Sequence, residues 1–222
     1  MASSESDNTD STADPYWRAR QQLALAARQL NESLISADIP PEQALELSNE
    51  LSRLAASLSD LPQVSGLMDM VGRRPQDGID TIMGEFVAIA GRSHPCSPDL
   101  TWHAEPHQIR GIVTFSQAFE GPPGHVHGGW VAGILDHLMG MTHVHMGQPG
   151  MTSGLTVRYL KPTPLRQIIA ISAVAEELDE RRTQVNAEMR CGETITATAT
   201  AIFVRVDRAR FGIESPWTLK ST

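Results

Sequence analysis

The sequence predicts an α+β domain built from one long helix and about five antiparallel strands, preceded by a helical extension. In the first part of the chain, apolar residues recur at three- and four-residue steps, which is typical of helices. In the second part, turn signals separate short β-rich runs. One apolar helical run, Gly128 to Val144, interrupts those strands. The connections between the later strands are short, so we expect an antiparallel meander.

Length and composition indicate a globular protein. The chain has 222 residues, of which 41% are hydrophobic and 20% charged, which suits one domain with an accessory region. A formal net charge of −8 argues against nucleic acid as the main partner, because phosphate binding needs a basic surface. Cys96 and Cys191 lack metal-type spacing and predict a reducing, cytoplasmic setting. The sequence contains neither a signal peptide nor a membrane-spanning run, so no membrane insertion is expected.

Composition divides the chain into four parts. A Ser-, Asp- and Thr-rich start predicts a disordered leader. Two helical patterns follow, turning near Pro40 and Pro41 into a helical hairpin, and a Pro- and Gly-rich irregular connection succeeds them. The expected boundaries are 1–14 for the leader, 15–100 for the extension and connection, 101–210 for the α+β domain and 211–222 for a C-terminal tail.

Five runs are candidates for strands because they are β-rich and end at turn residues. They are Gly111 to Phe119, Gly154 to Tyr159, Ile168 to Glu177, Thr183 to Arg190, and Thr194 to Val206. The helical run lies between the first and the second of these candidates. We expect the sheet to wrap around that helix.

The run Gly121 to Gly129, with the sequence GPPGHVHGG, predicts a tight loop that delivers a His-Gly-Gly turn onto the start of the long helix. A helix N-terminus has unsatisfied backbone N–H groups and a partial positive charge. It can therefore hold a carbonyl oxygen whose negative charge grows during attack. Asp136 follows His127 by nine residues and offers a base or a nucleophile. The pattern indicates acyl chemistry.

Asp136 lies off the apolar face of this helix, roughly 140° from Val131 at about 100° per residue. Its neighbours on the helix surface are small, namely Gly129, Ala132, Gly133 and Gly140. Glycine inside a helix costs up to ~1 kcal/mol relative to alanine, so the strip predicts close approach of another element. A thin ligand and a helix or subunit contact are both open as the occupant.

Two stretches, Gly121 to Gly140 and Met151 to Leu165 (MTSGLTVRYLKPTPL), resemble the hotdog-fold acyl-CoA thioesterases. The similarity is to the phenylacetate-pathway-like and thioesterase-superfamily-member group and covers about Gly111 to Val206. It implies a hotdog fold, an antiparallel sheet of about five to six strands wrapped around one long helix. It also implies a homodimer or dimer of dimers, in which two subunits make each site.

The resemblance implies a role for each matching residue. Asp136 would act as nucleophile or as base for water, and the backbone N–H of Gly128 or Gly129 would polarise the thioester carbonyl. His127 would position the carbonyl or shape the loop. Thr152 would reach the site from the partner subunit and orient the water. The implied activity is hydrolysis of a fatty or aryl acyl-CoA without a cofactor or metal.

Three arginines, Arg158, Arg181 and Arg182, are candidates for binding the phosphates or pantetheine of coenzyme A, because Arg pairs well with phosphate oxygens. Ordinary solvated charges at strand ends are the alternative.

Other functions fit the sequence less well. The pairs His125/His127 and His143/His145 raise the possibility of a metal. However, an apolar helix follows the first pair immediately, with Asp136 as the only acid soon after, and residues two apart on a helix, such as His143 and His145, do not face the same way. A hotdog hydratase would need a loop that the sequence lacks. A non-catalytic acyl-CoA-binding or regulatory protein stays the main alternative, because one fold can support several functions.

Overall fold

A computed structural model describes residues 14–146 and 150–206. The helices are α1 (Pro15–Ser36), α2 (Pro41–Ser59), α3 (Leu67–Arg73), α4 (Gly78–Phe86) and α5 (Gly128–His145). The strands are β1 (Asp99–Glu105), β2 (Gln108–Thr114), β3 (Gly150–Tyr159), β4 (Ile168–Glu177), β5 (Arg182–Cys191) and β6 (Thr194–Arg205). The α+β class, the long helix and the N-terminal helical extension are therefore confirmed.

The strands form one antiparallel sheet in the order β1-β2-β4-β5-β6-β3. One face of this sheet packs on α5, and the helix contributes the apolar face that the sequence predicted. Its buried residues are Val131, Ile134, Leu135, Leu138, Met139, Thr142 and His143. The inward positions of β6 are small, with alanine at 197, 199 and 201, so the helix can approach the sheet closely.

Two strand predictions need correction at the start of the sheet. The sequence did not predict β1, and the strand expected over 111–119 spans Gln108–Thr114 instead. The side chain of Ser116 accepts a hydrogen bond from the Ala118 N–H and starts a short 3₁₀ turn, Gln117–Phe119. Phe115 and Phe119 pack edge to face at 5.6 Å beside this turn. Local capping and aromatic packing thus end the strand before the residue at which the sequence predicted its end.

The helical extension contains the expected hairpin, α1 and α2. The connection predicted to be irregular also holds α3 and α4. Asp14, which was assigned to the leader, caps α1: its carboxylate accepts the Tyr16 N–H at 2.8 Å and pairs with Arg74 at 2.6 Å. The rest of the predicted leader and the predicted tail at 211–222 lie outside the described residues.

The extension packs on the β-rich domain and has a small core of its own. Trp17, Met70 and Ile82 form that core. The Glu32 carboxylate of α1 accepts the Ala118 N–H at 3.2 Å and a guanidinium N–H of Arg166 at 2.9 Å. Of the helices in the described ranges, none is long and apolar enough to cross a lipid bilayer.

Candidate active site

Glycines and backbone hydrogen bonds fix the conformation of the loop before α5, residues 121–127. A Cβ on Gly121 would lie 2.7 Å from the Cα of His127, so only glycine fits there. Gly124 has φ +75°, a conformation that glycine adopts without strain. The Val126 N–H donates to the Thr163 carbonyl at 2.8 Å and joins the loop to the strand connection. These contacts fix where the helix begins.

His127 is the N-cap residue of α5. Its backbone is extended, with φ −60° and ψ 133°, and its Nδ1 accepts the Gly129 N–H at 3.0 Å. The Gly129 amide is therefore engaged by the cap and is not available to a carbonyl oxygen. Among the described residues, the Gly128 N–H has no hydrogen-bond acceptor. Of the two predicted amide donors, only the Gly128 N–H is without an acceptor among the described residues and can therefore bind a carbonyl oxygen. The His127 ring stabilises the turn through its bond to Gly129.

Tyr159 is a residue of this region that sequence reasoning missed. Its hydroxyl donates to the Gly128 carbonyl at 2.9 Å. A Cβ built on Gly128 would lie 3.3 Å from the ring, which shows how closely the side chain covers the helix start. The ring is 57% exposed, so it borders solvent beside the free Gly128 amide.

Asp136 and Thr152 form the second part of the site. The Thr152 hydroxyl donates to Oδ1 of Asp136 at 3.0 Å, and Asp136 is half-buried. Thr152 is paired with the buried Phe203 of β6, so its side chain faces α5. The resemblance implied that this threonine comes from a partner subunit, but the hydroxyl at Asp136 is that of the same chain. The reason is topological: β3 follows α5 directly and lies along it at the sheet edge.

A β-bulge in β3 aims these side chains. Thr152 is opposite Phe203 and Gly154 is opposite Ile202, so Ser153 is an extra residue. The Ser153 hydroxyl donates to the Ile202 carbonyl at 3.0 Å and does not reach Asp136. The extra residue changes which positions face the helix, so Thr152 before the bulge and Tyr159 after it both point inward. Alternation alone would have placed these two residues on opposite faces.

The three candidate arginines lie in different places. Arg158 is opposite Thr198 and faces away from α5. Arg182 is the first residue of β5 and lies at the same end of the sheet as Thr152. The backbones of the two residues are two strand spacings apart, or about 10 Å. Its guanidinium pairs with Asp179 at 2.7 Å. The Arg181 N–H and the Arg182 side chain, both bonded to Asp179, hold the pKa of that carboxyl below its usual range.

Side chains of the same chain fill much of the small-residue strip around Asp136. The Cδ1 of Ile89 would lie 2.7 Å from a Cβ at Gly133, and the Phe203 ring 3.6 Å from one at Gly140. The close approach predicted from these glycines therefore occurs within the chain. Met139 is buried in the core, whereas Trp130 is half-buried against Phe119, with ring centroids 4.8 Å apart.

The two histidine pairs do not form a common site. His125 Nδ1 lies 2.8 Å from the Pro123 carbonyl, while His127 caps the helix. His143 is stacked on Phe203, and His145 packs edge-on against Trp102. Within residues 14–146 and 150–206, no three His, Cys, Asp or Glu side chains come together as metal ligands.

The fold and this site define the class. The sheet wraps around one long helix, which is the architecture of a hotdog domain. The site combines an unbonded amide at the helix start with an acid that accepts a hydrogen bond from a threonine, and this combination is suited to acyl chemistry. Residues 123–198 match the model of the Thioesterase superfamily. This region contains the loop, α5 and most of the sheet. This part of the β-rich domain is therefore similar to the Thioesterase superfamily, and the domain has the hotdog fold.

Two known proteins are similar to part of this chain. The chain is 33% identical over 89 residues to Acyl-coenzyme A thioesterase THEM4 of Xenopus laevis, covering 39% of this chain and 40% of the relative. The Mus musculus protein of that name is 31% identical over 90 residues, covering 40% and 39%. The chain thus matches about two fifths of the length of these relatives.

A crystal structure described as a thioesterase superfamily protein is similar over most of the fold. It has a TM-score of 0.70 and 27% identity, and the match covers 83% of this chain and 90% of that chain. The match extends beyond the β-rich domain into the helical extension. The extension is therefore shared with that structure, although it lies outside the 123–198 region.

Proposed function

We propose that this protein is an acyl-CoA thioesterase in which Asp136 activates water for attack on the thioester carbonyl. The observation that carries the proposal is the 3.0 Å hydrogen bond from Thr152 to Asp136 on the helix whose first amide is free. Water adds to the carbonyl carbon and transfers a proton to the carboxylate. The carbon–sulfur bond then breaks, and the thiol of coenzyme A leaves with a proton.

The geometry gives each group a task. The bond from Thr152 occupies Oδ1 of Asp136 and fixes the carboxylate, so Oδ2 can accept a proton from water. The Gly128 N–H lies at the positive end of α5 and can stabilise the oxyanion. A thioester is already an activated acyl group, and these functions suffice for its hydrolysis. Direct attack by the Asp136 carboxylate, through an anhydride that water hydrolyses, uses the same groups.

We propose a homodimer as the active form, because one helix does not bring both groups to one carbonyl. Gly128 and Asp136 are eight residues apart, about 12 Å along the axis at 1.5 Å per residue. Asp136 of one subunit would act with Gly128 of the partner subunit. The edge strand β3 supports such an assembly, because Met151, Leu155 and Tyr159 expose apolar surface there. A dimer of dimers would use the same pairing.

Arg181 is the arginine that we assign to a phosphate of coenzyme A. It lies beside Arg182 at the end of the sheet that carries Thr152, and within the described ranges its guanidinium makes no ion pair. Arg182 is held by Asp179. Arg158, on the other face of the sheet, would contribute only across a subunit contact.

Thiol release from a panel of acyl-CoAs tests the mechanism. We expect the wild type to hydrolyse some members, and Asp136→Asn to lose about 10²- to 10⁴-fold in kcat, the range of general-base catalysis. Thr152→Ser should retain most activity and Thr152→Ala should not. Ser153→Ala is the matched control, because the Ser153 hydroxyl donates to the Ile202 carbonyl and not to Asp136. Wild-type turnover by a folded Asp136→Asn variant would refute the mechanism, and saturable binding without hydrolysis would indicate a binding protein.

A further inference from the structure

One peptide group at the start of α5, the one that joins Gly128 to Gly129, is hydrogen-bonded by side chains at both of its polar atoms. Its carbonyl oxygen, that of Gly128, accepts the Tyr159 hydroxyl at 2.9 Å. Its N–H, that of Gly129, donates to Nδ1 of His127 at 3.0 Å. Two side chains from different elements of the fold therefore fix the plane of this peptide group.

The preceding peptide group, between His127 and Gly128, carries the unbonded N–H. Its carbonyl oxygen, that of His127, accepts the N–H groups of Trp130 at 2.9 Å and Val131 at 3.3 Å. Its N–H is the Gly128 donor, which has no acceptor among the described residues. The direction of that N–H depends on the torsion angles at Gly128, which link the two peptide planes. Glycine restricts these angles less than any other residue, so the contacts to both planes supply the restriction that the backbone lacks.

Tyr159 is anchored in the sheet and reaches the helix from there. It lies opposite the buried Ala197 of β6, and its side chain points toward α5. The next residue, Leu160, donates its backbone N–H to the Thr196 carbonyl at 2.8 Å and keeps the end of β3 on the sheet. The ring lies against Gly128, because a Cβ built there would be 3.3 Å from it. The hydroxyl is therefore held in place by the sheet and not by the helix that it contacts.

The strand β3 contacts both parts of the proposed site. Near its start Thr152 donates to Asp136, and at its end Tyr159 donates to the Gly128 carbonyl. We propose that Tyr159 is a positioning residue for the hydrolysis, an inference that rests on the proposed thioesterase function. It acts through the peptide group between Gly128 and Gly129 and holds the Gly128 N–H in the direction of the oxyanion. Such a donor stabilises the transition state because it needs no rearrangement as the negative charge develops.

The two tyrosines of the chain provide a matched test, because Tyr159→Phe and Tyr16→Phe each remove one hydroxyl. The Tyr16 hydroxyl lies 3.9 Å from the Met70 sulfur, beside the small core of the extension. We expect Tyr159→Phe to lower kcat about five- to tenfold, the factor that one neutral hydrogen bond is worth. KM should stay nearly unchanged, because a donor to the oxyanion acts in the transition state. Tyr16→Phe should leave kcat unchanged.

Two backgrounds separate positioning of the amide from general support of the fold. Gly128→Ala keeps the amide and Gly128→Pro removes it, and both add a Cβ beside the Tyr159 ring. Tyr159→Phe should still lower kcat about five- to tenfold in Gly128→Ala, and it should not lower the residual activity of Gly128→Pro. An unchanged kcat of folded Tyr159→Phe would overturn the inference, and so would equal losses in the two backgrounds.

Amide hydrogen exchange separates this inference from the proposed function. Exchange of the Gly129 N–H, followed by NMR, should be about fivefold faster in Tyr159→Phe than in wild type, because one hydrogen bond fewer opposes opening of the helix start. Unchanged exchange would overturn the role of Tyr159, whatever the wild type hydrolyses. Faster exchange without hydrolysis of any acyl-CoA by wild type would overturn the thioesterase function alone, because Tyr159 would still orient Gly128.

Discussion

The substitution Gly128→Pro removes the backbone N–H donor at position 128 and leaves α5 able to form. Proline is favoured at the first position of a helix, where its missing N–H has no intrahelical partner. The preceding residue, His127, already has ψ 133°, which proline requires of its predecessor. A Cβ at this position would lie 3.3 Å from the ring of Tyr159, which is exposed and able to shift.

The expected effect follows from the role of a single oxyanion donor. Loss of one such donor costs about 10²- to 10³-fold in kcat. Gly128→Ala is the matched control, because it adds the same Cβ and keeps the N–H. We therefore expect Gly128→Ala to stay within a few-fold of wild type, with Gly128→Pro at least tenfold slower than Gly128→Ala in the thiol-release assay. Both variants should unfold near the wild-type temperature, because Gly128 is the first residue of α5.

A mixed dimer tests whether the site is shared between subunits. Gly128→Pro and Asp136→Asn chains with different tags are co-expressed, and the heterodimer is purified through both tags. If one subunit supplies the amide and the other the carboxylate, each heterodimer contains one intact site and one with both defects. The heterodimer should then recover about half of wild-type activity, as two-fold symmetry requires.

Three results would refute this reasoning. Equal kcat for Gly128→Pro and Gly128→Ala would show that the amide does not stabilise the transition state. A heterodimer as inactive as its parents would show that each site is built from one chain, since every site would then carry one defect. A monomeric wild-type protein with full activity would lead to the same conclusion.

Two further predictions concern stability. Burial lowers the pKa of His137 from 6.5 to about 4. As the pH falls through this range, the imidazole is protonated in the unfolded chain but stays neutral in the folded one, so the free energy of unfolding decreases. Between pH 7.5 and pH 5, wild type should lose roughly 2 kcal/mol more in urea unfolding than His137→Gln, and parallel losses would contradict this. Glu85→Ala should cost about 3 kcal/mol, the low end for a buried ion pair, because it removes the fully buried partner of the half-buried Arg92 and of the Ser93 hydroxyl. Glu105→Ala, from an exposed pair, should cost under about 1 kcal/mol. Similar urea midpoints for these two variants would refute the role of Glu85.

Local patterns were sufficient for the helices and for most strands. The apolar period of α5 predicted its buried face, and the turn residues separated β4, β5 and β6 because these strands are joined by short hairpins. The same reasoning failed at β1 and at the end of β2. The run that leads into Phe115 is β-rich by composition, whereas the conformation of residues 115–119 depends on a cap and on a ring contact.

For the site, the sequence by itself determined that Asp136 would lie off the core face of a helix that begins at a His-Gly-Gly turn. This follows from helical periodicity and needs no distant contact. Only the tertiary structure decided what meets that acid. An extra residue in β3 turns Thr152 toward Asp136, and the same bulge brings Tyr159 to Gly128.

The tertiary structure also decided which amide is free and what fills the small-residue strip. The His127 ring takes the Gly129 N–H, and Ile89 occupies the space over Gly133. Glycines in a helix show that something approaches closely, but the approaching group is set by packing between segments distant in the chain. Periodicity describes one element at a time, whereas these contacts join the extension, the long helix and the edge strand.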